Sequence, residues 1–258
     1  MLLGDYHTHT TYSRSGHGKG SVEDNVRKAL SLGMKEIALT DHGFRHGAYG
    51  MTKKAFPKFL EEVQAVREKY PEIKVYAGIE ANFISPNGEL DIPPEFADKL
   101  DIIVAGYHKF VRPARGGLGF HLRNLITKNS RKAKVRNTDA YIQALDKYDI
   151  AILSHPNSGC KIDLKEVGKV ASAKGTYIEL NGKRVSLTAD ELIALADLGC
   201  RFLANSDAHS PARVGDVGIW KETWVASGLD SALIHNYNRL PDLKLNGGKN
   251  DGNAKQKS

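Results

Sequence analysis

The chain has 258 residues, of which 41% are hydrophobic and only two are cysteines. This length suits one large domain, and a single α/β barrel commonly has about 250 residues. Cys160 and Cys200 stand far apart and outside any C-x-x-C pattern, which argues against a disulfide framework and against a cysteine zinc site.

The positive charge is concentrated in one segment. The formal net charge is +7, but nine of the 37 Lys and Arg residues lie between Lys109 and Arg136, where there is no Asp or Glu. Without those nine, 28 basic residues would face 30 acidic ones. The chain is therefore near neutral apart from this basic insert, residues 109–136.

The first residues, Met1-Leu2-Leu3, contain neither the basic region nor the apolar run of a secretion signal. No segment approaches the ~18 to 20 apolar residues of a membrane span. We therefore expect a cytoplasmic protein that does not enter a membrane. Residues 245–258 contain almost nothing apolar and predict a disordered tail after a single barrel domain, residues 1–244.

Apolar strands and amphipathic helices alternate along the chain. After a first strand that contains His7 and His9, the predicted strands span residues 35–40, 73–84, 101–106, 150–153, 176–180 and 201–205. The predicted helices span residues 21–33, 52–69, 138–147, 163–174, 188–199 and 229–240. Seven strands alternating with helices predict an α/β fold, a closed or nearly closed parallel (βα)7 TIM-like barrel.

Side chains that can bind metals stand at the ends of six of the seven strands. The carboxyl ends of parallel barrel strands open on one face, where catalytic groups gather. The strand ends carry His7, His9, His42, Glu80, His108, His155, Asp207 and His209, and His17 lies on the loop after the first strand.

Nine ligands are too many for one ion, so the pattern indicates a cluster of two or three ions. A set rich in histidine favours zinc, iron or manganese over magnesium or calcium. Glu80 is suited to bridge two ions and Asp207 to bind one ion while exchanging a proton. Together with His209, these two carboxylates are the predicted catalytic residues.

Several neighbours are open to more than one interpretation. Asp5 and Asp41 stand beside ligands and would either orient imidazoles or cap loops. Glu179 is expected to be structural and to point away from Asn181. Four cations that follow strand ends are candidates for phosphate binding, namely Arg14, Lys109, Arg184 and Arg213.

Six motifs together resemble the signature of the polymerase and histidinol phosphatase (PHP) superfamily, and most closely its small stand-alone bacterial phosphatases. The motifs are Asp5-x-His7-x-His9-Thr10, Leu39-Thr40-Asp41-His42-Gly43, Gly78-Ile79-Glu80-Ala81-Asn82, Ala105-Gly106-Tyr107-His108, Ser154-His155-Pro156 and Ser206-Asp207-Ala208-His209. The resemblance implies a distorted seven-unit barrel and a centre of three divalent metal ions, preferably zinc, with manganese or iron as alternatives.

The resemblance also assigns the ligands to ions. It implies one ion on His7, His9, Glu80 and Asp207, a second on Glu80, His108 and His155, and a third on His17, His42 and His209. His46 is the alternative to His17, although an exposed histidine is the preferred interpretation of His46.

The activity implied by the resemblance is hydrolysis of phosphomonoesters by a metal-activated water, with histidinol phosphate as a candidate substrate. The alternative is a nucleotide phosphoesterase or an exonuclease acting on nucleic acid. The basic insert would be a lid or phosphate clamp on a small phosphorylated substrate, a solvated loop, or a nucleic-acid contact. The first of these is preferred because the insert lacks regular aromatic interleaving. The oligomeric state is left open.

Overall fold

The computed structural model describes residues 1–126 and 130–248. Its seven strands form one parallel sheet in which each strand pairs with the next along the chain. The strands are β1 (Gly4–Thr8), β2 (Glu36–Leu39), β3 (Lys74–Asn82), β4 (Ile102–Gly106), β5 (Ile150–Leu153), β6 (Tyr177–Asn181) and β7 (Phe202–Asn205). A parallel bridge between Thr8 and Ala208 brings β7 back to β1, so the predicted seven-stranded barrel is confirmed.

Eight α-helices lie among the described residues, most of them between consecutive strands. Two begin with capping boxes, in which Ser21 pairs with Asp24 and Thr188 pairs with Glu191. The helices are α1 (Val22–Ser31), α2 (Phe56–Lys69), α3 (Pro94–Ala97), α4 (Leu118–Ile126), α5 (Arg131–Lys147), α6 (Leu164–Lys174), α7 (Ala189–Asp197) and α8 (Lys221–Ser227).

The basic insert contains more regular structure than expected. It includes α4 and the first turns of α5, which begins at Arg131 and not near residue 138. Phe120, His121 and Asn124 of α4 are buried, so the insert contributes to the folded core. Residues 127–129 of the insert lie outside the described residues.

The helix predicted for residues 229–240 is wrong. The last helix, α8, ends at Ser227, and only a short 3-10 turn at Ser231–Leu233 follows within the predicted span. Two apolar residues of this span instead form isolated β-bridges: Ile234 pairs with Phe202 of β7, and Tyr237 pairs with Leu2. This stretch fills the seam between β1 and β7.

The side chain of Asn236 closes the seam near the amino-terminal end of β1. Its Nδ2 donates to the carbonyl oxygens of Gly4 on β1 and Ala204 on β7, and its Oδ1 accepts from the amide of Ala204. The amide of Leu3 donates to its carbonyl oxygen. One fully buried asparagine therefore replaces the missing strand ladder at this level of the barrel.

The C-terminal segment covers the amino-terminal end of the barrel. Leu243 and Leu245 join an apolar cluster with Tyr6, Tyr76 and Tyr177 inside the barrel. The backbone amide of Asn246 donates to the carbonyl oxygen of Asp101, just before β4. The predicted start of a disordered tail at residue 245 is therefore too early, and residues 249–258 lie outside the described residues.

A second apolar cluster fills the space between the outer face of the sheet and the helices. Both cysteines are buried, and burial raises the pKa of Cys160 to about 12 and that of Cys200 to about 11. Within residues 1–126 and 130–248, no helix has the length and apolarity needed to cross a membrane.

Replacing Asn236 by Ala should destabilise the protein by about 3 kcal/mol, because buried backbone groups on both sides of the seam would lose their partners. Urea unfolding followed by circular dichroism measures this change. Asn87→Ala, at an exposed asparagine, is the control and should change stability by less than about 0.5 kcal/mol. Equal stability of the two variants would show that Asn236 does not hold the seam.

Candidate metal centre

Glu80, near the end of β3, lies at the centre of a cluster of imidazoles. Its Oε1 lies 3.2 Å from Nε2 of His7, 3.3 Å from Nε2 of His108 and 3.0 Å from Nε2 of His155. Its Oε2 lies 2.9 Å from Nδ1 of His42. With only 1% of its surface exposed, Glu80 contacts ligand candidates from four other strand ends.

A second group spans the seam between β1 and β7. Nε2 of His9 lies 3.4 Å from Oδ1 of Asp207 and 3.2 Å from Nε2 of His7. Nδ1 of His209 lies 3.3 Å from the same Asp207 oxygen. Because the amide of His9 also donates to the carbonyl of Ala208 at 2.7 Å, the seam itself holds these ligands together.

Among the described residues, three sets of side chains could each hold one metal ion, with donor atoms within 4.8 Å of one another. The sets are His7, His9 and Asp207; His42, Glu80 and His108; and His9, His42 and His209. They overlap at His9 and His42, which is the arrangement expected of adjacent ions that share a cavity. Seven of the nine predicted ligands belong to these sets.

The two remaining ligands, His17 and His155, also reach the cluster. Nε2 of His155 lies 3.0 Å from Glu80, while the His17 ring centroid lies 4.3 Å from that of His209. In the implied assignment His17 shares an ion with His42 and His209, whereas the structure groups His9 with that pair. The His17 ring instead stacks on Tyr49 at 3.8 Å.

Metal ions fit this donor set, because several buried polar atoms lack hydrogen-bond partners. These atoms are both ring nitrogens of His42, Oε2 of Glu80 and Nδ1 of His108 and His155. Although Nδ1 of His42 is close to Glu80, the two atoms do not have hydrogen-bond geometry. Leaving so many buried donors and acceptors unpaired is costly unless a ligand satisfies them.

Metal binding requires neutral imidazole, and burial favours this form of His42 and His17. Burial lowers the pKa of His42 to about 3 and that of His17 to about 4. Burial opposes ionisation of the carboxyls, but His108 and His7 hold the pKa of Glu80 well below its usual range, and His7 and His9 do so for Asp207. His42 and His17 are therefore neutral at neutral pH. Burial also opposes ionisation of His7, but the nearby carboxylates of Glu179, Glu80 and Asp207 raise the pKa of His7 well above its usual range.

His46 is buried and not exposed as expected, with 6% of its surface accessible. Its ring stacks against His42 at 5.4 Å and against Tyr49 at 4.9 Å. The amide of Tyr49 donates to Nδ1 of His46 at 3.1 Å, so in the neutral ring the proton is on Nε2. In this tautomer the lone pair of Nδ1 is used by Tyr49 and Nε2 carries the proton, so the neutral ring offers no free lone pair to an ion.

Asp5 and Asp41 cap loops and do not contact imidazoles. Asp5 accepts from the amide and hydroxyl of Ser206 and from the amide of Gly215. Asp41 accepts from the amides and hydroxyls of Thr10 and Ser13. The hydroxyl of Ser13 lies 3.1 Å from Nδ1 of His9, so Asp41 influences a ligand candidate only indirectly.

The expectation that Glu179 points away from Asn181 is wrong. Residues two apart in a strand share a face, and Nδ2 of Asn181 donates to Oε2 of Glu179 at 2.8 Å. Oε1 of Glu179 lies 2.7 Å from Nδ1 of His7. This carboxylate therefore contacts a metal-ligand candidate on the side of the ring away from the cluster. The two-residue period of β6 was sufficient to predict that Glu179 and Asn181 share a face.

A cationic rim follows β6 and β7, and sequence reasoning missed one of its members. Nζ of Lys183 lies 3.2 Å from Nδ1 of His209. Arg184 donates to the hydroxyl of Ser158, and Arg213 pairs with Asp216 and donates to the carbonyl of Gly182. The signal for Lys183 was present, since it follows the strand end at Asn181.

The other two predicted cations have different surroundings. Arg14 is exposed and donates to the carbonyl oxygen of Gly50 in the loop that carries His46. Lys109 is exposed immediately after His108. The start of the basic insert borders the same loop, because the amide of Arg112 donates to the carbonyl of Arg45.

Comparisons with known proteins place this geometry in a family. A "probable phosphatase" of Vibrio campbellii is 30% identical over 264 residues, covering 95% of this chain and 94% of that protein. A "probable phosphatase" of Caldanaerobacter subterraneus is 27% identical over 271 residues, covering 98% and 97%.

Among solved structures, histidinol phosphate phosphatase from Lactococcus lactis, complexed with zinc, L-histidinol and phosphate, has a similar fold. Its TM-score is 0.61 at 16% identity, and the match covers 89% of this chain and 95% of that chain. The PHP domain family matches residues 5–196, a range that holds seven of the nine ligand candidates. The chain therefore belongs to the PHP domain family.

Proposed function

We propose that this chain is a metal-dependent phosphatase that hydrolyses small phosphomonoesters, with a trinuclear centre at the carboxyl ends of its barrel strands. The observation that carries the proposal is the set of three overlapping donor groups around Glu80, next to a rim of cations. The names of the relatives from Vibrio campbellii and Caldanaerobacter subterraneus support the phosphatase class.

Nine residues would hold the ions, with zinc preferred and manganese or iron as alternatives. The zinc in the Lactococcus lactis structure supports this preference. The ligands are His7, His9, His17, His42, Glu80, His108, His155, Asp207 and His209. When bound, divalent ions supply Lewis acidity toward phosphoryl oxygens, and they activate water for attack.

The protein's own residues attract and orient the phosphate group. Lys183, Arg184 and Arg213 place positive charge beside the ligand cluster, where they can pair with phosphoryl oxygens. Asn181 arranges this rim, because its Oδ1 accepts from the backbone amides of Lys183 and Arg184. Lys109 and Arg14 border the site at its other side.

Proton transfer to the leaving oxygen falls to the end of β7. Asp207 is ionised, and its Oδ1 lies 3.3 Å from Nδ1 of His209, so these two side chains can accept the proton that the attacking water releases and pass it to the leaving alkoxide. Glu80 stays ionised beneath them and would connect two ions. Each of these three residues is a catalytic residue in the proposal.

The substrate is proposed to be a small phosphorylated molecule, by analogy with the L-histidinol and phosphate held by the Lactococcus lactis protein. A screen of phosphomonoesters that includes histidinol phosphate, run beside single-stranded oligonucleotides, tests this choice. We expect faster hydrolysis of the phosphomonoesters. Preferential degradation of the oligonucleotides would instead support the nuclease alternative and a nucleic-acid role for the basic insert.

Replacing Glu80 by Gln should abolish phosphatase activity and lower the metal content, because the central carboxylate would lose its charge. Activity toward phosphomonoesters and elemental analysis of the purified protein measure the two effects. Glu95→Gln, at an exposed carboxylate paired with Lys53, is the control and should retain both. Full activity of the Glu80 variant would contradict the bridging role.

His42→Ala and His46→Ala should differ in metal content. The loss of His42 removes a ligand from two of the donor groups, so fewer ions should be bound per chain. The loss of His46 removes a ring that packs against His42 and accepts a hydrogen bond from Tyr49 but is not assigned to an ion, so the metal content should equal that of the wild type. A lower metal content in the His46 variant would make His46 a ligand.

Lys183→Met should raise KM for a phosphomonoester about tenfold, since a charge-assisted hydrogen bond contributes roughly 1.5 kcal/mol. Steady-state kinetics measure KM, and Lys165→Met on the exposed surface of α6 is the control. An unchanged KM would remove Lys183 from the phosphate site.

The role of the basic insert is tested in the same way with Lys109→Met. A deletion of residues 112–132 would remove the buried side chain of Phe120 and so disturb the core. A single charge at the border of the site can be removed without that damage. A raised KM in this variant would support the clamp, and an unchanged KM would contradict a contribution of Lys109 to it.

A further inference from the structure

Glu179 occupies a singular position, on the one strand that contributes none of the nine ligand candidates. It is fully buried on β6, and four donors surround its two oxygens. Oε1 faces Nδ1 of His7 at 2.7 Å and Nδ2 of Asn205 at 3.2 Å. Oε2 accepts from the amide of His155 at 2.8 Å and from Nδ2 of Asn181 at 2.8 Å.

This pattern fixes the orientation of His7. The backbone amide of His155 and the two asparagine Nδ2 groups can only donate hydrogen bonds. Both oxygens of Glu179 therefore act as acceptors. The nitrogen of His7 that faces Glu179 is therefore the protonated Nδ1. In the neutral ring the lone pair is then on Nε2, which lies 3.2 Å from Glu80 within the ligand cluster.

The same carboxylate holds a second ligand candidate through its backbone. His155 has a φ of 28°, in the left-handed region that residues other than glycine rarely adopt. Its amide is fastened to Oε2 of Glu179, and its Nε2 lies 3.0 Å from Glu80. The hydrogen bond thus helps to keep a strained backbone in the one conformation that places this imidazole in the cluster.

We propose that Glu179 is a positioning residue that sets the metal occupancy of the centre by holding His7 and His155 at once. The inference rests on the proposed function, because it assumes that these histidines bind ions. It goes beyond that function by linking two ions through a residue that ligates neither. Loss of such an outer carboxylate commonly lowers metal affinity about 10- to 100-fold.

Glu36 supplies a matched control. It is a second buried carboxylate within the barrel, on β2, and it accepts a hydrogen bond at 2.7 Å from the hydroxyl of Tyr6, the neighbour of His7 on β1. This hydrogen-bond partner is a tyrosine and not one of the nine ligand candidates. Replacement of Glu36 by Gln therefore reports the cost of neutralising a buried carboxylate away from the centre.

The test compares wild type, Glu179→Gln and Glu36→Gln. Glutamine keeps the size of the side chain, but one of the two carboxylate oxygens becomes an NH2 group. This NH2 donor must face either Nδ1–H of His7 or the backbone N–H of His155, which are donors themselves. Each metal-free protein is titrated with zinc against a chromophoric chelator, and bound zinc is counted by elemental analysis. Thermal unfolding of the metal-free forms measures stability separately from binding.

For Glu179→Gln we expect at least one fewer zinc ion per chain or at least tenfold weaker binding, with a metal-free Tm close to that of Glu36→Gln. Glu36→Gln should bind zinc like the wild type. Zinc binding by Glu179→Gln within twofold of the wild type would overturn the inference. An equal loss of zinc from both variants would also overturn it, since the effect would then be general destabilisation.

These outcomes are separate from those that concern the proposed function. A wild-type protein that binds no zinc, manganese or iron would overturn both. A wild-type protein that binds metal but hydrolyses no phosphate ester would overturn the proposed activity alone. The titration would still decide whether Glu179 positions the ligands.

Discussion

The arrangement of this molecule depends on how its two outer strands meet. A parallel sheet of seven strands must bring β1 back to β7, and among the described residues a single bridge, between Thr8 and Ala208 just after β7, joins these two edges. Below that bridge the side chain of Asn236 pairs with both strands. Above it, the amide of His9 donates to Ala208. Hydrogen bonds along this seam decide whether the rim of the barrel is a closed ring.

The metal centre depends on the same closure. His7 and His9 approach the centre from one side of the seam and Asp207 from the other, so an open seam would separate the members of one donor group. His42, His108 and His155 converge on Glu80 from the ends of β2, β4 and β5. Buried carboxylates and unpaired imidazoles carry a desolvation penalty that an apolar interior would avoid. Their concentration at one rim is therefore a functional feature and not a consequence of folding.

Much of this rim could be predicted because the relevant signals are local. A short apolar strand followed by Asp41-His42-Gly43 or by Ser154-His155-Pro156 marks both the strand and the residue at its end. The parallel barrel then brings these ends together without any knowledge of side-chain positions. The fold class and the convergence of the nine candidates follow from this reasoning.

The features that could not be predicted depend on neighbours distant in the chain. The apolar spacing in residues 229–240 suits a helix, yet Ile234 pairs with β7 because the seam needs a partner. The burial of His46 depends on contacts with Tyr49 and His42 that its own segment does not reveal. Glu179 is different, since the two-residue period of a strand was sufficient to place it beside Asn181.

The seam also has a consequence for how the chain matures. Its two sides lie at opposite ends of the sequence, and the hydrogen bond from Asn236 to Gly4 joins residues 232 positions apart. Contacts of such long range form slowly and only after most of the chain is available. During synthesis the first two histidines therefore leave the ribosome long before their partners on β7 exist. Assembly of the complete centre is consequently a late event, because the donor group of His7, His9 and Asp207 needs both ends of the chain.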